Sequence, residues 1–190
     1  MATKSNLTID DKFLFEFKSK TETRWQNCQI NRGIYGFQFQ PGTRWNPGLI
    51  DREIADYEKS LGTQFPNDFK RMLRVINGTD IPTLNVYGMF GEPHRTSVGV
   101  YSFPRDLSIV KERMKEIYKD FSAIVSVLLE GGFELEKNAA LVPIFSHRYI
   151  ICGSDLNKSS VLSIVGTDAV VYGDSLRSYL QVEFLLDRAV

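Results

Sequence analysis

The chain has 190 residues, of which 43% are hydrophobic, 24% charged and 12% aromatic, and its 23 basic and 23 acidic side chains balance to zero formal charge. Such an apolar content excludes a disordered chain, and the length suits one domain with a substantial core. The charge balance lacks the basic excess of a phosphate-neutralising protein, so direct nucleic-acid binding is not expected.

In chain order, residues 1–10 are polar and predicted to fray. The start, MATKSNLTIDDKF, carries no long apolar core with a small-residue cleavage site, and no run reaches membrane-spanning length. Two distant cysteines, Cys28 and Cys152, are too few for a secreted disulfide framework. A cytoplasmic protein without membrane contact is the expectation. Phe13, Phe15 and Phe17 alternate with Leu14, Glu16 and Lys18, which predicts a strand, and Ile34 to Phe39 alternates likewise. The segment between, with Thr21, Asn31 and Gly33, reads as turns. Pro41-Gly42 and Asn46-Pro47-Gly48 mark loops around Trp45. Residues 1–40 form an N-terminal extension packed on the domain.

A helix pair follows. Ile50, Ile54, Tyr57 and Leu61 share one helical face, Asp51 is placed to cap, and Gly62 to terminate. Pro66 suits the first turn of the next helix, Asp68 its dipole, and Phe69, Met72, Leu73 and Ile76 its buried stripe. Asn77-Gly78 is the predicted stop. Strands are predicted over Leu84–Phe90 and Ser97–Phe103, joined by a loop over Gly91–Arg95. A single long helix then runs from Asp106 to Gly131-Gly132, its apolar residues stepping by three and four from Leu107 to Leu128. Short strands are predicted at Leu141–Phe145, Arg148–Cys152, Val161–Val165 and Ala169–Tyr172. A final helix, capped by Asp174 or Ser175, carries Leu176, Leu180, Phe184 and Leu185. The class is α+β: an antiparallel-rich twisted sheet with an N-terminal helix pair, a long middle helix and a C-terminal helix.

Chemistry leaves few traces. Cys28, His94, His147 and Cys152 show no zinc spacing, and no phosphate loop or Gly-x-Ser-x-Gly elbow occurs. Cys152 with His94 or His147 is a formal nucleophile pair, but Cys152 reads first as a small buried apolar residue. Glu134 and Glu136, two apart on a strand, would share a face; solvated edge charges are the favoured reading. No metal, cofactor or catalytic residue is assigned.

The order Ile-x-x-Tyr-Glu, Leu-Gly, Phe-Pro-x-Asp-Phe-Lys, Leu and Asn-Gly within Ile54–Thr79 resembles the opening of the SUKH superfamily. Leu141-Val142-Pro143-Ile144, His147-Arg148-Tyr149-Ile150, Val161-Leu162-Ser163-Ile164 and the Asp174-to-Phe184 helix are similar to that family's later half. The resemblance spans about Trp45 to Leu185. It implies one non-catalytic protein-binding domain over 1–190, and first of all an immunity protein that neutralises a bacterial toxin encoded nearby. An intracellular scaffold or regulatory adaptor is the alternative, and a small hydrolase using His147 or His94 comes third. The candidate partner-binding residues are Trp45, Arg44, Tyr87, His94, Arg95, Asp155 and Asp168. Trp45, flanked by Arg44, is an interface anchor or, as the favoured reading, a cover for the core. Tyr87, His94 and Arg95 mark a second surface at the first hairpin. Asp80, Asp155 and Asp168 fall in turns, where a basic partner meets them or, more simply, local amides do.

Overall fold

A computed structural model describes residues 8–34, 36–86, 95–97 and 99–186, with residues 95–97 described as backbone only. The first element is a helix, α1 (Asp11–Gln26), where alternation predicts a strand. Its buried residues are Phe13, Leu14, Phe17, Thr21 and Trp25, a spacing of three to four sustained over four turns. Only three phenylalanines support the period of two, and Phe15 is left 62% exposed. Asp10 caps the helix by accepting from the Phe13 amide at 2.7 Å. Thr21 is therefore helical, not part of a turn, and its hydroxyl donates to the Phe17 carbonyl at 2.9 Å.

Three short strands follow the predicted pattern loosely. β1 (Gly36–Gln38) pairs with β4 (Thr83–Val86), which pairs with β5 (Arg95–Ser97), all antiparallel. The segment around Trp45 is not only loop: β2 (Trp45–Pro47) pairs antiparallel with β3 (Ile76–Thr79). Of the strand predicted over Ser97–Phe103, residues 99–103 form none, apart from a single bridge between Val100 and Phe145. Side chains take the backbone donors there: Asp106 accepts from Ser102 N, and Asn77 accepts from Phe103 N. Residues 87–90 of the earlier predicted strand lie outside the described residues, as does most of the predicted 91–95 loop.

The helix pair forms as α2 (Asp51–Leu61) and α3 (Asn67–Val75). Gly62 adopts the left-handed conformation (φ +68°) that lets it close α2. The cap at the other end differs from expectation. Ile50 occupies the cap position, Glu53 accepts from its amide at 2.9 Å, and Asp51 instead pairs with Arg74 at 2.7 Å. Pro66 stands one place before α3, in the cap position. Asn77-Gly78 is not the helix stop. α3 ends at Val75, and Asn77 is buried within β3, where its side chain bonds both the amide and the carbonyl of Phe103.

The single long helix is two, α4 (Leu107–Lys119) and α5 (Phe121–Glu130), broken at Asp120 (φ −112°, ψ 16°). Asp is a poor interior helix former. The break gives each half its own surface: α4 lies against β6 (Ala140–Phe145) and α5 against β9 (Asp168–Gly173). With β7 (Arg148–Cys152) and β8 (Val161–Val165) these strands make an antiparallel sheet in the order β6-β7-β8-β9. Ser175 caps α6 (Leu176–Leu180), which runs into a π-helical turn at Gln181–Leu185. Glu134 and Glu136 are on no strand; Glu136 accepts from the Ser154 amide at 2.8 Å.

One core joins these pieces. Phe17 and Trp25 of α1 meet Trp45 of β2 and Phe184 of the C-terminal turn, with ring centroids 5.1–6.5 Å apart. A second cluster, including Ile117, Ile124, Leu128, Leu141, Tyr149, Leu162, Ile164 and Ala169, lies between α4–α5 and the other sheet face. The protein is α+β.

Candidate functional site

The antiparallel order puts the β6–β7 turn (Ser146-His147) and the β8–β9 turn (Gly166-Thr167) at the same end of the sheet. α4 passes beside them, presenting Arg113, Glu116, Ile117 and Asp120 at positions i, i+3, i+4 and i+7, one helical face. Together these residues line a cleft of about 350 Å³ with Ser146, His147, Tyr149, Ile164, Val165 and Gly166. Its volume is at the lower end of small-molecule or side-chain sites.

Its polar groups are held from behind. The buried Arg148 is bound by Glu183 at 3.3 Å and by Ser163 Oγ at 2.6 Å, and its guanidinium stacks 3.9 Å from the Tyr172 ring centre. This pair ties the sheet to the C-terminal turn. Burial, and then the Arg148 charge, pull the His147 pKa below its ordinary value, so its imidazole is neutral at pH 7. Its Nδ1 lies 3.2 Å from Ser146 Oγ, and Ser146 sits at φ +49° in the turn. Arg113 pairs with Glu116 at 3.3 Å and bonds the Tyr101 hydroxyl, which donates to the Ser146 carbonyl at 3.2 Å.

Tyr149 is 4% exposed and lines the cleft. Burial pushes its pKa up to about 12, with Arg113 and Glu116 close enough to act on it electrostatically. A protonated hydroxyl thus stands in the cleft beside those two residues.

The residues singled out in the sequence are not brought together. Trp45 is 5% exposed, its Nε1 donating to Thr21 Oγ1 at 2.7 Å, so the ring is spent on the core. Arg44 is exposed, and its amide donates to Asp80, which also accepts from the Ile81 amide. It borders a second groove, of about 460 Å³, along α1 with Phe15, Lys18 and Glu22. Asp155 lies in the β7–β8 connection and accepts from the Asn157 amide at 3.0 Å. Asp168 faces Val165 across the β8–β9 turn, at the other end of β8 and next to the cleft. Tyr87 and His94 lie outside the described residues, and Arg95 is described only as a backbone position in β5. The α4 contribution was missed because the sequence shows there an apolar stripe that includes Ile117 and a charged face that includes Glu116, and neither marks a site. His147 was noticed, but its neighbours come from distant segments.

Nucleophile chemistry finds little footing. Burial is the main cause raising the Cys152 thiol to about 12, and Glu58 adds to it. At neutral pH this thiol is not a thiolate. Cys28 is free too, its pKa raised by burial, and its sulfur contacts the Trp25 and Phe39 carbonyls. Among the described residues no three His, Cys, Asp or Glu side chains gather into a metal site, and no helix is long and apolar enough to cross a membrane.

No protein-family model matches this sequence, and no curated protein matches it.

Proposed function

We propose that this chain is a non-catalytic protein-binding domain, in first place an immunity protein that covers a toxin's active site or substrate channel. The observation that supports it is the surface at the hairpin-tip end of the sheet. There Val165 (64% exposed) lines the cleft with Arg113, Glu116 and Asp120, and Asp168 is its partner across the β8–β9 turn. A concave site with an exposed apolar side chain and charged groups at its rim can receive a side chain of a protein partner. The SUKH resemblance of the helix pair and the later strands points the same way. A scaffold or adaptor role would use the same surface toward host proteins.

Hydrolysis is the weaker reading. The Ser146–His147 contact lies inside one tight turn, and the nearby Glu183 carboxylate is engaged by Arg148. The test is co-expression with the toxin domain encoded beside the gene. Protection of the host cell, together with a stable complex on gel filtration, is expected. A folded sample that neither binds nor protects overturns the immunity reading, and binding to host proteins alone redirects it to a scaffold.

A further inference from the structure

The four-stranded sheet is covered at one edge and open at the other. At the β6 edge Val100 bridges Phe145, and the Tyr101 amide donates to the Ile144 carbonyl at 3.4 Å. At the β9 edge no further strand follows among the described residues. β9 pairs regularly with β8 from Asp168 to Val171, so its outward amides and carbonyls there have no ladder partner among the described residues. Such an edge is a template for another strand, and proteins ordinarily blunt it with Lys, Pro or a covering segment. Asp168–Gly173 reads DAVVYG, without Lys or Pro and without charge after Asp168. Val170 is 52% exposed.

α5, which lies against this same strand, is a second and independent sign. From Phe121 to Leu129 it carries no charged side chain. It buries only Ile124 and Leu128, however. Phe121, Ala123, Val125 and Val127 are half-buried, and Leu129 is 61% exposed. Tyr118, 45% exposed, extends the apolar surface with its ring 5.2 Å from that of Phe121. A surface helix ordinarily turns charge to the water, and one that is apolar nearly all round is built to be covered.

We propose that β9 pairs antiparallel with β9 of a second copy of this chain, joining two sheets into one, with the α5 helices side by side across the two-fold axis. Charge selects a second copy as the occupant. A two-fold contact sets a surface against itself, so any charge near the axis meets its own like. Residues 121–129 and 169–173 carry none, and they offer a charged partner nothing to pair with. Side chains alternate between the two faces, so the pairing must place one residue opposite its own counterpart. With Val170 at the axis, Ala169 lies opposite the other copy's Val171 on the face that packs against α5, and the two Asp168 carboxylates fall at opposite ends of the ladder. The strip of strand and helix is about 15–20 Å long. That offers less than the ~800 Å² per partner of a standard interface, so the dimer belongs to the weak, concentration-dependent class. The inference does not depend on the protein-binding reading above.

The test is sedimentation velocity of the full chain from about 10 μM to about 1 mM, the range of weak interfaces. A reversible monomer–dimer equilibrium is expected. Val170→Lys removes an apolar pair and sets two like charges across the axis, which weakens the dimer about tenfold. Leu129→Lys weakens it as well, whereas Lys20→Ala, exposed on α1, does not. Val170 and Leu129 are exposed, so both lysine variants keep the parent's melting temperature. Val170→Cys, with oxidised glutathione as oxidant, forms a disulfide-linked dimer, because facing side chains lie within disulfide reach; Lys20→Cys does not. A chain that stays monomeric to about 1 mM, a dimer that both lysine variants leave intact, or a Val170→Cys chain that cross-links no better than Lys20→Cys overturns the inference. If the parent is monomeric and Val170→Lys abolishes binding to the toxin domain, the edge serves another protein's strand and the second copy is refuted. Failure of the co-expression assay would leave this dimer standing.

Discussion

Arg148 and Glu183 sit 9% and 11% exposed and join the sheet to the last turn of the chain. Removing one partner strands a buried charge, which typically costs ~3–5 kcal/mol. Glu183→Ala should lose about that much in urea unfolding, whereas Arg148→Met with Glu183→Leu should lose clearly less. Equal losses would mean that the pair itself is strongly stabilising. His147 has a sign that can be worked out. Its folded pKa lies below the unfolded value of about 6.5, so the unfolded chain takes up the proton first. The stability it contributes is present above about pH 6.5 and is lost as pH falls toward the folded pKa. Melting temperatures at pH 7.5 and 5.5 should therefore drop more for the parent than for His147→Asn. An equal drop contradicts the desolvated imidazole.

At the scale of elements, Gly48 shows how tightly β2 is fitted. A Cβ there would lie 2.0 Å from the Arg74 carbonyl oxygen at the end of α3, and the neighbouring Leu49 amide donates to the Leu73 carbonyl at 2.7 Å. Gly48→Ala must push these segments apart, at a cost of about 2–3 kcal/mol measurable by thermal or urea unfolding. No loss would mean that β2 is loosely held. Elements with strong local signals were legible: α2 and α3 from their stripes, and β6 to β9 from short apolar runs between turns. The alternation at Phe13–Phe17 misled because three aromatic positions fit either period; Thr21 and Trp25, further along, decide for a helix. The break at Asp120 was hidden because the apolar spacing continues across it, and only the separate packing of α4 and α5 makes two helices. Ser97–Phe103 looks extended in sequence, yet the Asp106 and Asn77 side chains occupy the amides of Ser102 and Phe103.

Over the whole molecule, the cleft could not be read from sequence, since it is assembled from residues 113–120, 146–149 and 164–166 by the antiparallel turn order. Sequence reasoning marked Asp168 beside it and His147 within it. It also marked Trp45, whose ring the fold spends on joining α1, β2 and the C-terminal turn. The most direct measurement is isothermal titration of the purified chain with the toxin domain encoded beside its gene, followed by assay of that toxin's activity. The account predicts a one-to-one complex in which the toxin is silenced and the chain remains chemically unchanged. A folded chain that gives no heat of binding, or an activity of its own abolished by His147→Ala without unfolding, would contradict it.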